Sequence, residues 1–179
     1  VLGKRFREQI IGMSRRIREH PRAGGLVRLC RRTELVLVWD DESSGVRCKS
    51  RLDGVPEDAE IGLMDLKSTA DASAGAFGRS VYDYGYHHQA AMAIDGWRVL
   101  TGEKRPFTLL ACEKDPPHEL SLLAVVSGDT THGIGTAEYR SVLHEIKKAR
   151  LTGIWEGYPT DVQPMELPKW VLQRFNDAE

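Results

Sequence analysis

The chain has 179 residues, 41% hydrophobic and 28% charged, with a formal net charge of −1, which suits one soluble globular domain with a real core. No run approaches the ~18 apolar residues of a membrane helix, and the charged N-terminus lacks the apolar segment of a secretory leader. Cys30, Cys48 and Cys112 are far apart and form no CxxC pair. That spacing argues against a zinc site, a disulfide framework and a four-cysteine iron–sulphur centre, and it fits a reducing cytoplasm. The first residue is Val rather than Met, so the expectation is a piece of a longer chain.

Residues 4–19 place Phe6, Ile10, Met13 and Ile17 at spacings of three and four, which predicts a helix; His20-Pro21 and Gly24-Gly25 are expected to end it. Residues 1–32 hold ten Lys or Arg against Glu8 and Glu19, a local charge of +8 that leaves −9 for the remainder. A basic arm on an acidic body fits contact with a phosphate backbone, with Arg15 and Arg16 as candidates. It equally fits a solvated helix face that pairs with the acidic body.

"TELVLVWD" (33–40) reads as a strand, "DESSG" (41–45) as a turn and "VRCKSRLDGV" (46–55) as a second strand. "PEDAE" (56–60) is another turn and "IGLMDLKST" (61–69) a third strand. The short connections make these three an antiparallel meander. "DASAGAFGRSVYDYG" (71–85) and "YHHQAAMAIDGWRVLTG" (86–102) read as helices. "FTLLACE" (107–113) and "ELSLLAVV" (119–126) are strands around Pro116-Pro117, and "TAEYRSVLHEIKKARLTG" (136–153) is a helix ending at Gly153. The tail from "WEGYP" (155–159) to "LPKWVLQRF" (167–175) reads mostly as loop. The order α-βββ-αα-ββ-α predicts an α/β (α+β) fold in one domain over 1–179, with a basic helical segment 1–32, a core 33–153 and a tail 154–179.

Three acids sit on the meander: Glu34, Asp53 and Asp65. Asp53 and Asp65 are twelve residues apart around the turn at 56–60, a hairpin length that can bring them together on one face. Lys67 shares the face of Asp65 in a regular strand. Leu63 and Leu66 lie on opposite faces of that strand, so polar side chains beside them need a reason to be there. Gathered carboxylates disfavour joint ionisation. A divalent cation resolves that cost, and hard oxygen ligands suit Mg²⁺. A neighbouring lysine would orient or deprotonate the attacking water, or stabilise charge developing at phosphorus. The acid-x-Lys triplet alone is weak, because a surface ion pair has the same pattern. Glu145-Ile146-Lys147 repeats it in a predicted helix, where i and i+2 do not face each other.

"RLDG" (51–54), "MDLKSTADASAGAFGRSVYDYGYHHQAAMAIDG" (64–96), "EKDPPHEL" (113–120) and "WEGYP" (155–159) together resemble the exodeoxyribonuclease VIII (RecE-like) family of the PD-(D/E)XK nuclease superfamily. The similarity runs from about His20 to Trp170 and is dense across 51–96. The resemblance implies a central mixed sheet flanked by helices. It also implies Mg²⁺-dependent degradation of linear duplex DNA, 5′ to 3′, in phage-type recombination, with Mn²⁺ able to substitute.

By the same resemblance, Asp53 and Asp65 match the two acids of the signature, Lys67 its lysine and Glu34 an upstream acid, with the Leu66 backbone carbonyl as a further metal ligand. Gln89 matches a helical glutamine lying against the catalytic face, and Tyr86 belongs to the same motif. Three residues apart on one helix, Tyr86 and Gln89 can share a face; a core aromatic and a solvent-exposed polar residue are the plainer readings. Arg51 is expected at a phosphate or paired with an acid. Ser68 and Thr69 are expected at a phosphate or as strand-ending polar residues. The implied partners are double-stranded DNA ends, a single-strand annealing protein and copies of the same chain in a ring, in a bacterial or phage-encoded cytoplasmic setting.

The family usually adds a metal-associated His on a helix upstream of the meander, for which this chain starts too late. His20 matches a different family position. His87 and His88, adjacent on a helix, are expected to point apart and to be poor joint metal ligands. The competing readings are a non-catalytic DNA-binding module on a nuclease fold and a DNA endonuclease of the same superfamily.

Overall fold

The chain order is α1 (Lys4–Glu19), α2 (Pro21–Leu29), β1 (Cys30–Asp40), β2 (Arg47–Pro56), β3 (Leu63–Thr69), α3 (Ala74–Asp83), α4 (Tyr86–Thr101), β4 (Phe107–Glu113), β5 (Leu120–Val125), α5 (Thr130–Thr152) and α6 (Lys169–Asn176). This computed structural model describes residues 3–57, 59–60 and 62–176. Asp58, in the turn expected at 56–60, and Ile61, at the expected start of the third strand, lie outside the described residues. The chain divides into two compact units, Val1–Lys148 and Ala149–Glu179.

The five strands form one sheet in sequence order. β1, β2 and β3 are antiparallel neighbours, as their short turns require, and β5 returns antiparallel to β4. β4 joins β3 in parallel. A parallel neighbour needs a crossover, and α3 with α4 supplies it. The mixed sheet with its antiparallel meander is therefore the expected one. Along β1, Leu37 and Trp39 are buried while Val36 and Val38 are exposed, the alternation of a strand covered on one face. β4 is buried from Phe107 to Cys112, as a central strand covered on both faces must be. Its Phe107 and Leu109 pack with Leu52, Leu63, Phe77, Ile94 and Trp97 on the α3–α4 side. Leu110 and Cys112 meet Ile17 and Ala23 on the α1–α2 side.

Three elements differ from the sequence reading. "PRAGGLVRL" continues as a helix where a break was expected. Pro21 occupies the first position, where a missing N–H costs nothing, and His20 Nδ1 accepts the Ala23 N–H at 3.1 Å as the cap. A side chain on Gly24 would fall 2.4 Å from the Arg18 carbonyl oxygen, so glycine is what lets α2 fold back on α1. The last core helix starts at Thr130, six residues early. Asp129 caps it, its Oδ1 accepting the His132 N–H at 2.7 Å. Gly133 and Gly135 hide this start by their poor helix propensity. A side chain at Gly135 would meet the His87 carbonyl oxygen at 2.5 Å, so that glycine permits α5 to cross α4 closely. In the tail, α6 forms where loop was expected. Leu-Pro reads as a breaker, yet Pro168 stands just ahead of the helix and its carbonyl accepts the Val171 N–H at 2.9 Å. No described helix is long and apolar enough to cross a membrane.

A buried carboxylate ties α4 to α5. Asp95 is 3% exposed. Tyr139 donates its hydroxyl to Asp95 Oδ2 at 2.6 Å, and His132 Nε2 lies 3.3 Å from Oδ1. The Arg98 and Arg140 guanidinium groups stand 3.7 Å away. Burial and the hydrogen bond to Asp95 push the Tyr139 phenol well above its ordinary range. Asp95→Ala would strand a phenol, an imidazole and two cations. It is expected to cost about 3–5 kcal/mol in urea unfolding, against about 1 kcal/mol for Tyr139→Phe. A cost below that of the tyrosine variant would show that Asp95 is not the tie.

Candidate active site

β3 supplies the chemistry because its apolar alternation is interrupted on one face only. Met64, Leu66 and Ser68 share one face and border a cavity with Ile10, Met13 and Ile17 of α1. Leu63, Asp65 and Lys67 share the other, toward α4. Asp65 is 2% exposed. Its Oδ1 accepts the Gln89 Nε2 hydrogen bond at 2.7 Å, its Oδ2 lies 2.5 Å from Lys67 Nζ, and Lys67 Nζ donates to Gln89 Oε1 at 2.8 Å. The three side chains close a ring. The ammonium also sits 4.4 Å from the centre of the Tyr86 ring, a cation–π contact. Tyr86 and Gln89 thus share the α4 face that meets Lys67.

Asp53 reaches this ring through the backbone. Its Oδ2 accepts the Leu66 N–H at 2.9 Å. Among the described residues, β2 and β3 pair at Gly54 and Met64. Beyond that point the strands part, and the Asp53 carboxylate takes the β3 donor in place of a β2 carbonyl. The carboxylate is held beside the β3 backbone between Asp65 and Lys67, which brings the Leu66 backbone into the same site.

Burial pushes the Asp65 carboxyl above its ordinary pKa; Lys67 opposes this, the Asp53 charge adds to it and the Gln89 hydrogen bond opposes it. Asp65 Oδ2 is buried and, among the described residues, is answered by the Lys67 ammonium alone. Two carboxylates, one with a charge disfavoured by burial, form a donor set that fits a hard divalent cation such as Mg²⁺.

Other expected residues lie apart from this ring. Glu34, with a left-handed φ of 54°, is set opposite Asp53 by the flanking register of Thr33 with Gly54 and Leu35 with Leu52. Among the described residues its ion pair is with Arg51, at 3.0 Å and exposed, so Arg51 pairs with an acid. Ser68 is exposed on the face away from Asp65 and Lys67. Thr69 donates to the Asp71 carbonyl at 3.1 Å, closing the strand end. On α1, Arg15 is exposed, and Arg16 lies 3.4 Å from Glu119 and Arg5 3.9 Å from Asp115, so part of the basic face does pair with the acidic body. Such exposed pairs contribute little to stability.

The two histidines correct the sequence reading. His87 and His88 do not point apart: their rings are 4.0 Å apart and both Nε2 atoms turn to Glu138 Oε2, at 2.8 and 2.5 Å. Adjacent helical side chains diverge from the axis, but the close crossing at Gly135 brings Glu138 between them. These imidazoles hold the Glu138 carboxyl below its ordinary pKa. Glu138 has no signal in the sequence, because its partners lie fifty residues away.

Because the folded chain raises the Asp65 pKa, it retains that proton to higher pH than the unfolded chain. Stability therefore falls as pH rises from the unfolded pKa through the folded one, and the loss persists above both. In EDTA, the Tm of Asp65→Asn relative to wild type is expected to rise from about pH 4 to neutrality. A difference that is flat or falls over that range would contradict the burial of this carboxylate.

A solved structure from Eubacterium rectale, described as a candidate exonuclease, shares the fold: the TM-score is 0.65 at 16% sequence identity, over 92% of this chain and 64% of that one. The chain thus spans about two thirds of the length of that structure. No curated protein matches the sequence. Residues 4–163 match the model of the family described as "PDDEXK-like domain of unknown function (DUF3799)", and the chain belongs to that family.

Proposed function

We propose that the chain is a Mg²⁺-dependent deoxyribonuclease that hydrolyses phosphodiester bonds from the ends of linear duplex DNA. The observation that carries this reading is the closed ring of Asp65, Lys67 and Gln89 beside Asp53, a buried acid paired with a fixed cation. Asp53, Asp65 and the Leu66 carbonyl would hold the metal, and Mn²⁺ would serve in its place. When bound there, the ion polarises the scissile phosphate and lowers the pKa of its water. Lys67 is held by a carboxylate, an amide oxygen and a ring face, so its ammonium is placed before substrate arrives and would stabilise charge developing on the phosphate. Gln89 is a positioning residue: its amide spans Asp65 and Lys67 and sets both. Glu34 would join the metal site by leaving Arg51, which would free Arg51 for a phosphate.

Exonuclease action with 5′ to 3′ polarity, and a place in phage-type recombination beside an annealing protein, rest on the RecE-like order of the motifs. So do a ring of several copies and a cytoplasmic location. Arg15 and Arg16 on α1 would hold the DNA backbone without sequence preference, and Ser68 would serve as a further phosphate contact.

The test supplies linear and covalently closed circular duplex DNA with Mg²⁺ or with EDTA. Loss of the linear form alone, abolished by EDTA and by Asp65→Ala, is the expected result. Lys67→Ala is expected to lower the rate about 10²–10³-fold, and Gln89→Ala about 10–100-fold. Cutting of the closed circle would replace the exonuclease with an endonuclease. Binding of DNA without cutting either form would leave a non-catalytic module.

A further inference from the structure

One cluster of imidazole and carboxylate groups lies apart from the β3 site, on the α4–α5 side. Among the described residues, His87, His88 and Glu138 place their ligating atoms within 4.8 Å of one another. His87 is the anchor, with its side chain 6% exposed. Its Nδ1 lies 3.1 Å from the Val81 carbonyl oxygen, which can only accept, so Nδ1 carries the hydrogen. With the ring neutral, Nε2 presents its lone pair to Glu138 Oε2, at 2.8 Å; with the ring protonated, it donates to that oxygen. His88 Nε2 faces that same oxygen at 2.5 Å. Three atoms able to ligate thus converge on one point, and with both rings neutral and unprotonated at Nε2 they need a positive charge at the centre, a proton or a metal ion. A ring hydrogen given to a backbone carbonyl is also how metal-binding imidazoles are fixed in orientation.

We propose that His87 Nε2, His88 Nε2 and Glu138 Oε2 bind a borderline transition-metal cation of the Zn²⁺ class, distinct in place and kind from a hard cation at β3. Two imidazoles and one carboxylate suit Zn²⁺ and not Mg²⁺, which demands oxygen ligands. Tetrahedral zinc separates its ligand atoms by roughly 3.3 Å, so Glu138 Oε2 must draw back by about 0.5 Å from His87 Nε2 and about 0.8 Å from His88 Nε2. His88 and Glu138, whose side chains are 41% and 45% exposed, are free to make that movement while His87 stays in place. The atoms stand on the wall of a cavity of about 710 Å³ that Asp83 also lines, which leaves room for water or a fourth ligand. The ion would fasten the first turn of α4, which carries Tyr86 and Gln89, to α5. Gly135, which admits the close crossing, is the backbone feature that lets Glu138 reach both rings.

The test titrates metal-stripped protein with Zn²⁺ against a chromophoric chelator, in an Asp53→Asn, Asp65→Asn background so that the β3 acids do not contribute. One equivalent is expected to bind. Glu138→Gln and His88→Ala are each expected to weaken it at least tenfold, with unchanged circular dichroism. Co²⁺ in the same site should give the intense visible bands of tetrahedral coordination, lost with Glu138→Gln. Zinc affinity unchanged by Glu138→Gln, or no stoichiometric zinc in a folded chain, would overturn the proposal and leave protons as the positive charge. Neither result depends on nuclease activity, so the proposal at β3 stands or falls separately.

Discussion

The burial of the Asp65 carboxylate is the constraint around which the described core is arranged. A carboxylate removed from water is costly unless another element answers it. Lys67 answers from the same strand and Gln89 from α4, so the ring can close only when the crossover helix lies across β3. α4 in turn packs on Leu52, Leu63 and Phe107 through Ile94 and Trp97, and is tied to α5 through Asp95. The site therefore sits on strands and a helix whose positions the hydrophobic core already determines, and it does not depend on a mobile loop. Sites carried on such rigid elements keep their geometry best.

The same arrangement gives up some stability. Asp65 is a carboxylate held out of water, its Oδ2 answered by the Lys67 ammonium alone among the described residues, and among those residues β2 and β3 pair at one position, Gly54 with Met64. A protein selected for stability alone would continue that pairing and place an apolar residue at position 65. The parting of the strands is what lets Asp53 reach the β3 backbone, so the local weakness and the clustering of two acids have one cause. Functional sites commonly carry such a cost.

Much of this was legible in the sequence. Apolar, β-favouring runs bounded by turn residues located the five strands within a few residues, and the short turns fixed the order of the meander. Asp65 and Lys67 were found on one face because side-chain direction in a strand follows parity. Gln89 and Tyr86 were found by helical spacing together with the family resemblance. What escaped was set by long-range approach. α2 hid behind His-Pro and Gly-Gly, because a cap and a close helix contact reverse the usual meaning of those residues. The early start of α5 hid behind Gly133 and Gly135. Glu138 was invisible, since only the crossing at Gly135 brings it between His87 and His88. The Glu34–Arg51 pair likewise depends on register across β1 and β2, and both alternatives for Arg51 stayed open until that register was known.

The central claim is that Asp53 and Asp65 together hold a hard divalent cation beside Lys67. It is tested most directly by anomalous diffraction from crystals of the wild-type chain soaked in Mn²⁺. The account predicts a peak between the two carboxylates, within about 2.2 Å of an oxygen from each, that disappears in Asp65→Asn. Density lacking at that position in a well-ordered crystal, or a peak that persists in the variant, would contradict it.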